Sequence, residues 1–330
     1  MGEMRTPTFF RPRRLGHVNL WVTSLERSER FYNEVCGLTI EFTEPGLIAS
    51  FLGTGHTPHD LGMIEKTDGK ARYGRDGLLQ LPAGIGLSAG LNHLAWELDS
   101  EAALVSGFKA LKANGIAFDM TVDHQVAHSV YMSDPDGNSV EYYCDTVRDW
   151  RKVLHGPMDL ITAAWDPLTA EGFTEGRYDE DPKIRVVANA PVHPKRLTHA
   201  VLVTDNVPRL TEFYCTVGGL HVVGASAMGE IVLLASSHAG YPICLALCKG
   251  ETPAFHHSAF EIESESALDA AAEELSRRGV EVVATTDLRW KRSLFLQDPD
   301  GILTEYYVAR GESRNLDELH GRALPPAHLI

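Results

Sequence analysis

Apolar and polar residues alternate in short segments along the chain, and several of these segments lead into a helical pattern. The segment "LGHVNLWV" (15–22) predicts a half-buried strand, after which an amphipathic helix carries a Phe-Tyr pair. A second strand, "LNHLAWEL" (91–98), precedes a helix that Gly115 ends. Residues 123–145 then predict a hairpin about the turn "DPDG" (134–137). The pattern of strand, helix and short strands therefore occurs twice in this part of the chain.

The second half of the chain repeats the first. The strand around His17 matches "LTHAVLVT" (197–204), which places His199 at the equivalent position. The strand around His93 matches "FHHSAFEI" (255–262), and from there the two copies align without a gap through the second "DPDG". The first copy is longer between these two strands because a glycine-rich stretch, 66–90, occurs only there. Repeats of this kind predict an α+β fold of tandem βαβββ units.

This organisation predicts two domains of ordinary size joined by a proline-containing connector. The predicted parts are an N-terminal domain over 1–154, a connector over 155–195, a C-terminal domain over 196–310 and a tail over 311–330. We expect the connector to be ordered but irregular and the tail to pack as an arm.

Composition excludes several classes of protein. A formal net charge of −15 without a basic run argues against nucleic-acid binding. Five cysteines with no CxxC spacing argue against a disulfide framework and a structural zinc site. The amino-terminal segment lacks the apolar core of a secretory signal, and no apolar run reaches the roughly 20 residues that span a bilayer. We therefore expect a cytoplasmic protein without membrane association.

Three residues of the first half have the chemistry of metal ligands. His17 and His93 lie within predicted strands, and Glu141 lies in the return strand of the hairpin. Two imidazoles and one carboxylate form the facial triad that binds non-haem Fe(II), and Mn(II) accepts the same set. One such histidine alone is more often structural, but equivalent positions in successive units favour a shared site. If the hairpin turns at Asp136, Tyr131 pairs with Glu141 and places its phenol beside that site.

The paired units, the two histidines and the glutamate after "DPDGN" resemble the vicinal oxygen chelate superfamily. Within it, the chain is similar to the two-domain extradiol dioxygenases, the family of catechol and homoprotocatechuate 2,3-dioxygenases. The resemblance implies two domains with cupped mixed sheets and iron bound by the three ligands named above. It also implies catalytic roles for His59 in "PHDLGMI", for Tyr131 and for His124 in "DHQV", although the interval from this histidine to "DPDG" is shorter than in the family.

The second copy serves as an internal control for these assignments. It keeps three candidate ligands, which are His199, His257 and Glu305. It has Leu288 where the first copy has His124, Phe295 where it has Tyr131, and no histidine opposite His59. We therefore predict that the N-terminal domain is catalytic, whereas the resembling family most often holds its iron in the second domain. The second triad remains open among a metal site without acid–base partners, a structural remnant and a second active site.

The resemblance implies Fe(II)-dependent cleavage of a small aromatic diol by dioxygen beside its hydroxyl groups, with a muconic semialdehyde-type product. Mn(II) is the alternative cofactor, and a homo-oligomer is expected because self-association is common in the family. A glyoxalase-type lyase or isomerase on the same fold is one alternative, with a four-ligand Ni or Zn site. A non-catalytic binding protein of the bleomycin-resistance type, which sequesters an aromatic ligand, is the other.

Overall fold

A computed structural model describes residues 8–73, 79–158, 162–319 and 322–330. Its strands and helices alternate as the sequence predicts. The strands of the first half and the connector are β1 (Arg14–Val22), β2 (Thr39–Glu44), β3 (Ala49–Gly53), β4 (Leu61–Glu65), β5 (Arg72–Tyr73), β6 (Leu79–Leu81), β7 (Gly90–Glu97), β8 (Met120–Asp123), β9 (Ala127–Ser133), β10 (Ser139–Asp145), β11 (Gly156–Pro157) and β12 (Ala163–Ala164). Its helices are α1 (Leu25–Arg30), which continues into a π-helical turn (Phe31–Val35), and α2 (Glu101–Ala113).

The second half repeats the order of the long strands and helices. Its strands are β13 (Arg196–Thr204), β14 (His221–Ala225), β15 (Ile231–Ala235), β16 (Leu245–Lys249), β17 (Ala254–Glu261), β18 (Ala284–Asp287), β19 (Lys291–Gln297) and β20 (Leu303–Ala309). Its helices are α3 (Val207–Thr216) and α4 (Glu265–Arg277). Short 3-10 turns lie at Trp150–Lys152, Leu316–Leu319 and Pro326–His328.

Each half forms one mixed sheet, and the two sheets have matching topology. The first has the order β11-β2-β3-β4-β1-β7-β10-β9-β8-β12, and the second has the order β14-β15-β16-β13-β17-β20-β19-β18. In both, the two histidine-bearing strands pair antiparallel at the centre, and each is flanked by a parallel neighbour. The predicted α+β fold of tandem βαβββ units is confirmed.

Equivalent residues begin and end the second helix of each half. The hydroxyl of Ser100 accepts a hydrogen bond from the backbone of Ala103 at the start of α2, and Ser264 caps α4 in the same way. Gly115 and Gly279 follow the two helices with φ of +69° and +70°, a conformation that glycine adopts without strain. Local sequence therefore sets the bounds of both helices.

The two halves pack on one continuous hydrophobic core. Two buried hydrogen bonds cross between them in a reciprocal manner. Tyr32 of the first half donates to Asp298 at 3.2 Å, and Tyr214 of the second half donates to Asp134 at 3.0 Å. Each aspartate begins a "DPDG" turn, whose backbone amides donate to the same carboxylate. These contacts tie the hairpin turn of each half to the first helix of the other.

The segment after the last long strand of each half packs against that half's sheet. In the connector, β11 pairs with β2 at one edge of the first sheet and β12 pairs with β8 at the opposite edge. Apolar residues of 150–158 pack there against Phe42, Phe51 and Val126. The tail packs Leu316, Leu329 and their neighbours against the second sheet in the same way.

Among the described residues, no helix combines the length and the apolarity that crossing a bilayer requires. All five cysteines are free, and four of them are buried.

Candidate metal centre

The three predicted ligands come from three adjacent strands at the centre of the first sheet. His17 on β1 and Glu141 on β10 both lie opposite Ala95 of β7, so the three residues form one row across the sheet. His93 precedes Ala95 by two positions and therefore projects from the same face. Because Ala95 has only a methyl group, the three longer side chains can converge above it.

The ligand atoms of this first triad lie close together. His17 Nε2 is 3.2 Å from His93 Nε2 and 3.1 Å from Glu141 Oε2, and His93 Nε2 is 3.0 Å from the same oxygen. Donor atoms about 2.1 Å from one ion and at right angles to each other are about 3.0 Å apart. The observed spacings therefore fit three ligands on one face of an octahedral metal site.

Hydrogen bonds hold two of the ligands in orientations suited to a metal. The ring of His93 donates from Nδ1 to Asn92 at 2.6 Å, which leaves a lone pair on Nε2 in the neutral ring. Ser129 donates to Glu141 Oε1 at 2.5 Å, while Oε2 faces the two histidines. A lone pair that faces a carboxylate and a second ring nitrogen is an arrangement that a bound cation satisfies. The residues present therefore fit a divalent metal ion.

The electrostatic environment keeps Glu141 and His17 in their binding forms. Burial opposes ionisation of Glu141, but the proximity of the His17 and His93 rings holds the pKa of this carboxyl well below its usual range. Burial lowers the pKa of His17, so its ring is neutral near pH 7. A carboxylate and neutral imidazoles are the forms that coordinate metals.

His59 lies against the triad without belonging to it. Its ring centroid is 4.0 Å from that of His17, and its edge contacts are with Phe51 and Phe42 at 4.9 and 6.3 Å. Neither ring nitrogen has a hydrogen-bond partner among the described residues. Burial and the neighbouring His17 lower the pKa of His59 well below its usual value, so the ring is neutral and one of its nitrogens carries a lone pair.

His124 and Tyr131 form a hydrogen-bonded pair on the other side of the triad. His124 Nε2 and the Tyr131 hydroxyl are 3.1 Å apart, and the tyrosine ring lies edge-on to His93 at 5.5 Å. Tyr131 pairs with Glu141 across the hairpin, so the predicted register is confirmed. Burial, and then the Glu141 charge, raise the pKa of Tyr131 well above its usual value, which keeps the phenol protonated as a donor. The structure thus brings all six predicted residues of the first half together.

The second triad, His199, His257 and Glu305, also converges, but more loosely. His199 Nε2 and His257 Nε2 are 3.7 and 3.5 Å from Glu305 Oε2. The ammonium of Lys291 donates to the other oxygen of this carboxylate. At the equivalent oxygen of the first triad the donor is Ser129 instead.

Sequence reasoning missed two residues that the structure places at these sites. Ser129 lies two positions before Tyr131 on β9, so strand alternation alone places both on one face. Lys291 aligns with Ala127 in the ungapped part of the repeat, so the comparison between the copies contained the signal for the added charge.

Comparison with known proteins adds the family. The family model of the Glyoxalase/Bleomycin resistance protein/Dioxygenase superfamily matches residues 14–142 and 196–306. The chain belongs to this superfamily. Each matched segment begins at the strand of the first histidine and ends in the strand of the glutamate, so superfamily membership covers both triads.

Named relatives within the superfamily are dioxygenases. Catechol-2,3-dioxygenase of Bacillus subtilis (strain 168) is 28% identical over 225 residues, which are 64% of this chain and 66% of that protein, just under two thirds. Biphenyl-2,3-diol 1,2-dioxygenase 3 of Rhodococcus globerulus is 28% identical over 170 residues, which are 49% of this chain and 83% of that protein. Among solved structures, the 2,3-dioxygenase LapB from Pseudomonas sp. KL28 has a TM-score of 0.65 at 17% identity, covering 92% of this chain and 94% of its own. At 17% identity, this structural similarity establishes the fold alone.

Proposed function

We propose that the chain is an extradiol dioxygenase, which opens the ring of a catecholic substrate with dioxygen and gives a muconic semialdehyde-type product. The observation that carries the proposal is the first triad, with ligand atoms 3.0–3.2 Å apart, between an unpartnered His59 and the His124–Tyr131 pair. Relatives named for catechol and biphenyl-2,3-diol support an aromatic diol as the substrate class.

Fe(II) is the metal that we propose for His17, His93 and Glu141, and Mn(II) fits the same ligands. Bound there, Fe(II) supplies the redox chemistry that a diol and dioxygen need in order to react, and it favours the deprotonated diol. Three protein ligands would leave coordination positions for both reactants on one ion, which would remove much of the entropic cost of their meeting.

The surrounding side chains would move protons and orient the substrate. His59 is neutral and has two free ring nitrogens, so it accepts a proton from the diol and later returns it. Tyr131 donates its phenolic hydrogen to a substrate oxygen, and His124 holds the phenol in place through their 3.1 Å contact. Phe42 and Phe51 keep water from the face of His59.

The test is oxygen uptake by the iron-loaded protein with a panel of diols that includes catechol and biphenyl-2,3-diol, together with ultraviolet–visible detection of a ring-opened product. His59→Ala should retain one equivalent of iron and lose about 10²–10⁴-fold in kcat. His221→Ala, which changes an exposed histidine of the second half, is the matched control and should keep full activity.

Two results would contradict the proposal. The first is stoichiometric iron without oxygen uptake on any diol of the panel, which would favour a binding protein. The second is loss of the metal from His59→Ala, which would make His59 a fourth ligand and favour a glyoxalase-type site.

A further inference from the structure

The second triad has kept the donor atoms of a metal site. His199 Nε2, His257 Nε2 and Glu305 Oε2 are buried and have no hydrogen-bond partner among the described residues. The other ring nitrogens are occupied, by Thr198 at 2.9 Å and by His256 at 2.7 Å, so both Nε2 atoms face the carboxylate. Loss of ligands therefore does not distinguish the second triad from the first.

The difference between the two triads is a buried cation. Lys291 and Glu305 are 2% and 0% exposed, and the ammonium donates to Glu305 Oε1. The same ammonium donates to the backbone oxygen of Ile330, which the tail brings against the second sheet. At the equivalent position of the first half, the chain has Ala127. The carboxylate that would attract a metal ion is therefore already neutralised.

The tail also packs against the residues around the second triad. The ring of His328 lies 4.4 Å from that of His256 and 5.1 Å from that of Phe295, measured between centroids. Leu329 and Ile330 are buried in the apolar cluster beside it. Phe295 occupies the place that Tyr131 has in the first half, so apolar and cationic groups of the chain itself fill the space around the second triad.

We propose that Lys291 is the resident cation of the second triad and excludes a metal ion from it, so that the chain binds one ion, at the first triad. A divalent ion at His199 and His257 would share the Glu305 carboxylate with the buried ammonium of Lys291. Two positive charges on one carboxylate repel strongly in a poorly solvated site. This proposal concerns metal occupancy and does not depend on the reaction that the first site performs.

Equilibrium dialysis of the full chain against Mn(II), with manganese measured by mass spectrometry, tests the proposal. The wild type should bind one ion per chain, His257→Ala should still bind one, and His93→Ala should bind at least 10-fold more weakly. Lys291→Met removes the charge but keeps an unbranched side chain, and it should bind a second ion. Lys291→Arg, which keeps the charge, is the matched control and should bind one.

The reciprocal experiment introduces a lysine at the equivalent position of the first half and leaves the second half unchanged. Ala127→Lys should weaken binding at the first triad at least 10-fold while circular dichroism shows a folded protein. The proposal is overturned if the wild type binds two ions and His257→Ala removes one of them. A folded Lys291→Met protein that binds one ion only, or an Ala127→Lys protein with unchanged affinity, would equally overturn it.

Discussion

Replacing Ser129 with alanine should weaken metal binding without touching a ligand. Ser129 is fully buried, and its hydroxyl donates to Glu141 Oε1 at 2.5 Å while Oε2 faces the two histidines. Alanine leaves Oε1 without a donor. A bound ion would fix the orientation of Glu141, so we expect most of the cost to fall on the metal-bound state.

The magnitude follows from the hydrogen bond that is lost. A buried hydrogen bond to a charged group contributes about 1.5–3 kcal/mol, and about 1.4 kcal/mol corresponds to a tenfold change in affinity. The dissociation constant for Mn(II) should therefore rise about 10–100-fold, the range found for partners of metal ligands in general. Isothermal titration calorimetry with Mn(II) measures this change directly.

Ser293→Ala provides the matched control for this experiment. Ser293 is the equivalent residue of the second half, and its hydroxyl contacts Thr286 at 2.5 Å instead of Glu305. We expect its Mn(II) affinity to stay within about twofold of the wild type, since no ligand of the first triad loses a partner. The reasoning is refuted if folded Ser129→Ala binds Mn(II) as tightly as the wild type, or if both variants lose affinity equally.

Three further predictions concern catalysis and stability. Tyr131→Phe should lower kcat about 10²-fold at unchanged metal content, measured by oxygen uptake, because a donor to the substrate is lost; an unchanged kcat would contradict this. Tyr214→Phe should lower the free energy of unfolding in urea by about 1–2 kcal/mol, because Asp134 loses a buried donor. Separate unfolding of the two halves in urea would count against the shared core. Burial opposes ionisation of Glu97, but the Arg14 and Arg13 charges hold its pKa below the usual value, so its stabilising effect is present above about pH 4.3 and is lost as the pH falls further. Glu97→Gln should therefore be less stable than the wild type at pH 7 and should lose less stability between pH 5 and pH 3, measured by urea unfolding at each pH. If the free energies of unfolding of the two proteins changed in parallel with pH, the prediction would be wrong.

Much of the fold was predictable because it depends on local periodicity and on a repeat. The alternation of "LGHVNLWV" and "LNHLAWEL" predicts strands, and the ungapped match between the copies predicts two equivalent sheets. The register that pairs Tyr131 with Glu141 followed from the position of the turn alone. These features follow from alternation within short segments and from the match between the two copies.

The remaining features depend on contacts that no local pattern encodes. The connector strands β11 and β12 have two residues each and exist because β2 and β8 offer free edges. The role of Ser129 depends on which rotamer meets Glu141, and the role of Lys291 depends on its contact with the backbone oxygen of Ile330. Periodicity places Ser129 on the face of Tyr131, and the repeat shows the added charge of Lys291, but long-range packing decides which partners these residues contact.

The reciprocal pairs Tyr32–Asp298 and Tyr214–Asp134 have the form of an isologous interface, in which the same two residues meet twice about a twofold axis. Two separate copies of one half could assemble through these contacts as a symmetric dimer. Covalent linkage of the copies frees each from having to match the other, since a substitution then alters one half only. A lysine at 291 opposite an alanine at 127 is a divergence that a symmetric dimer of identical subunits could not hold.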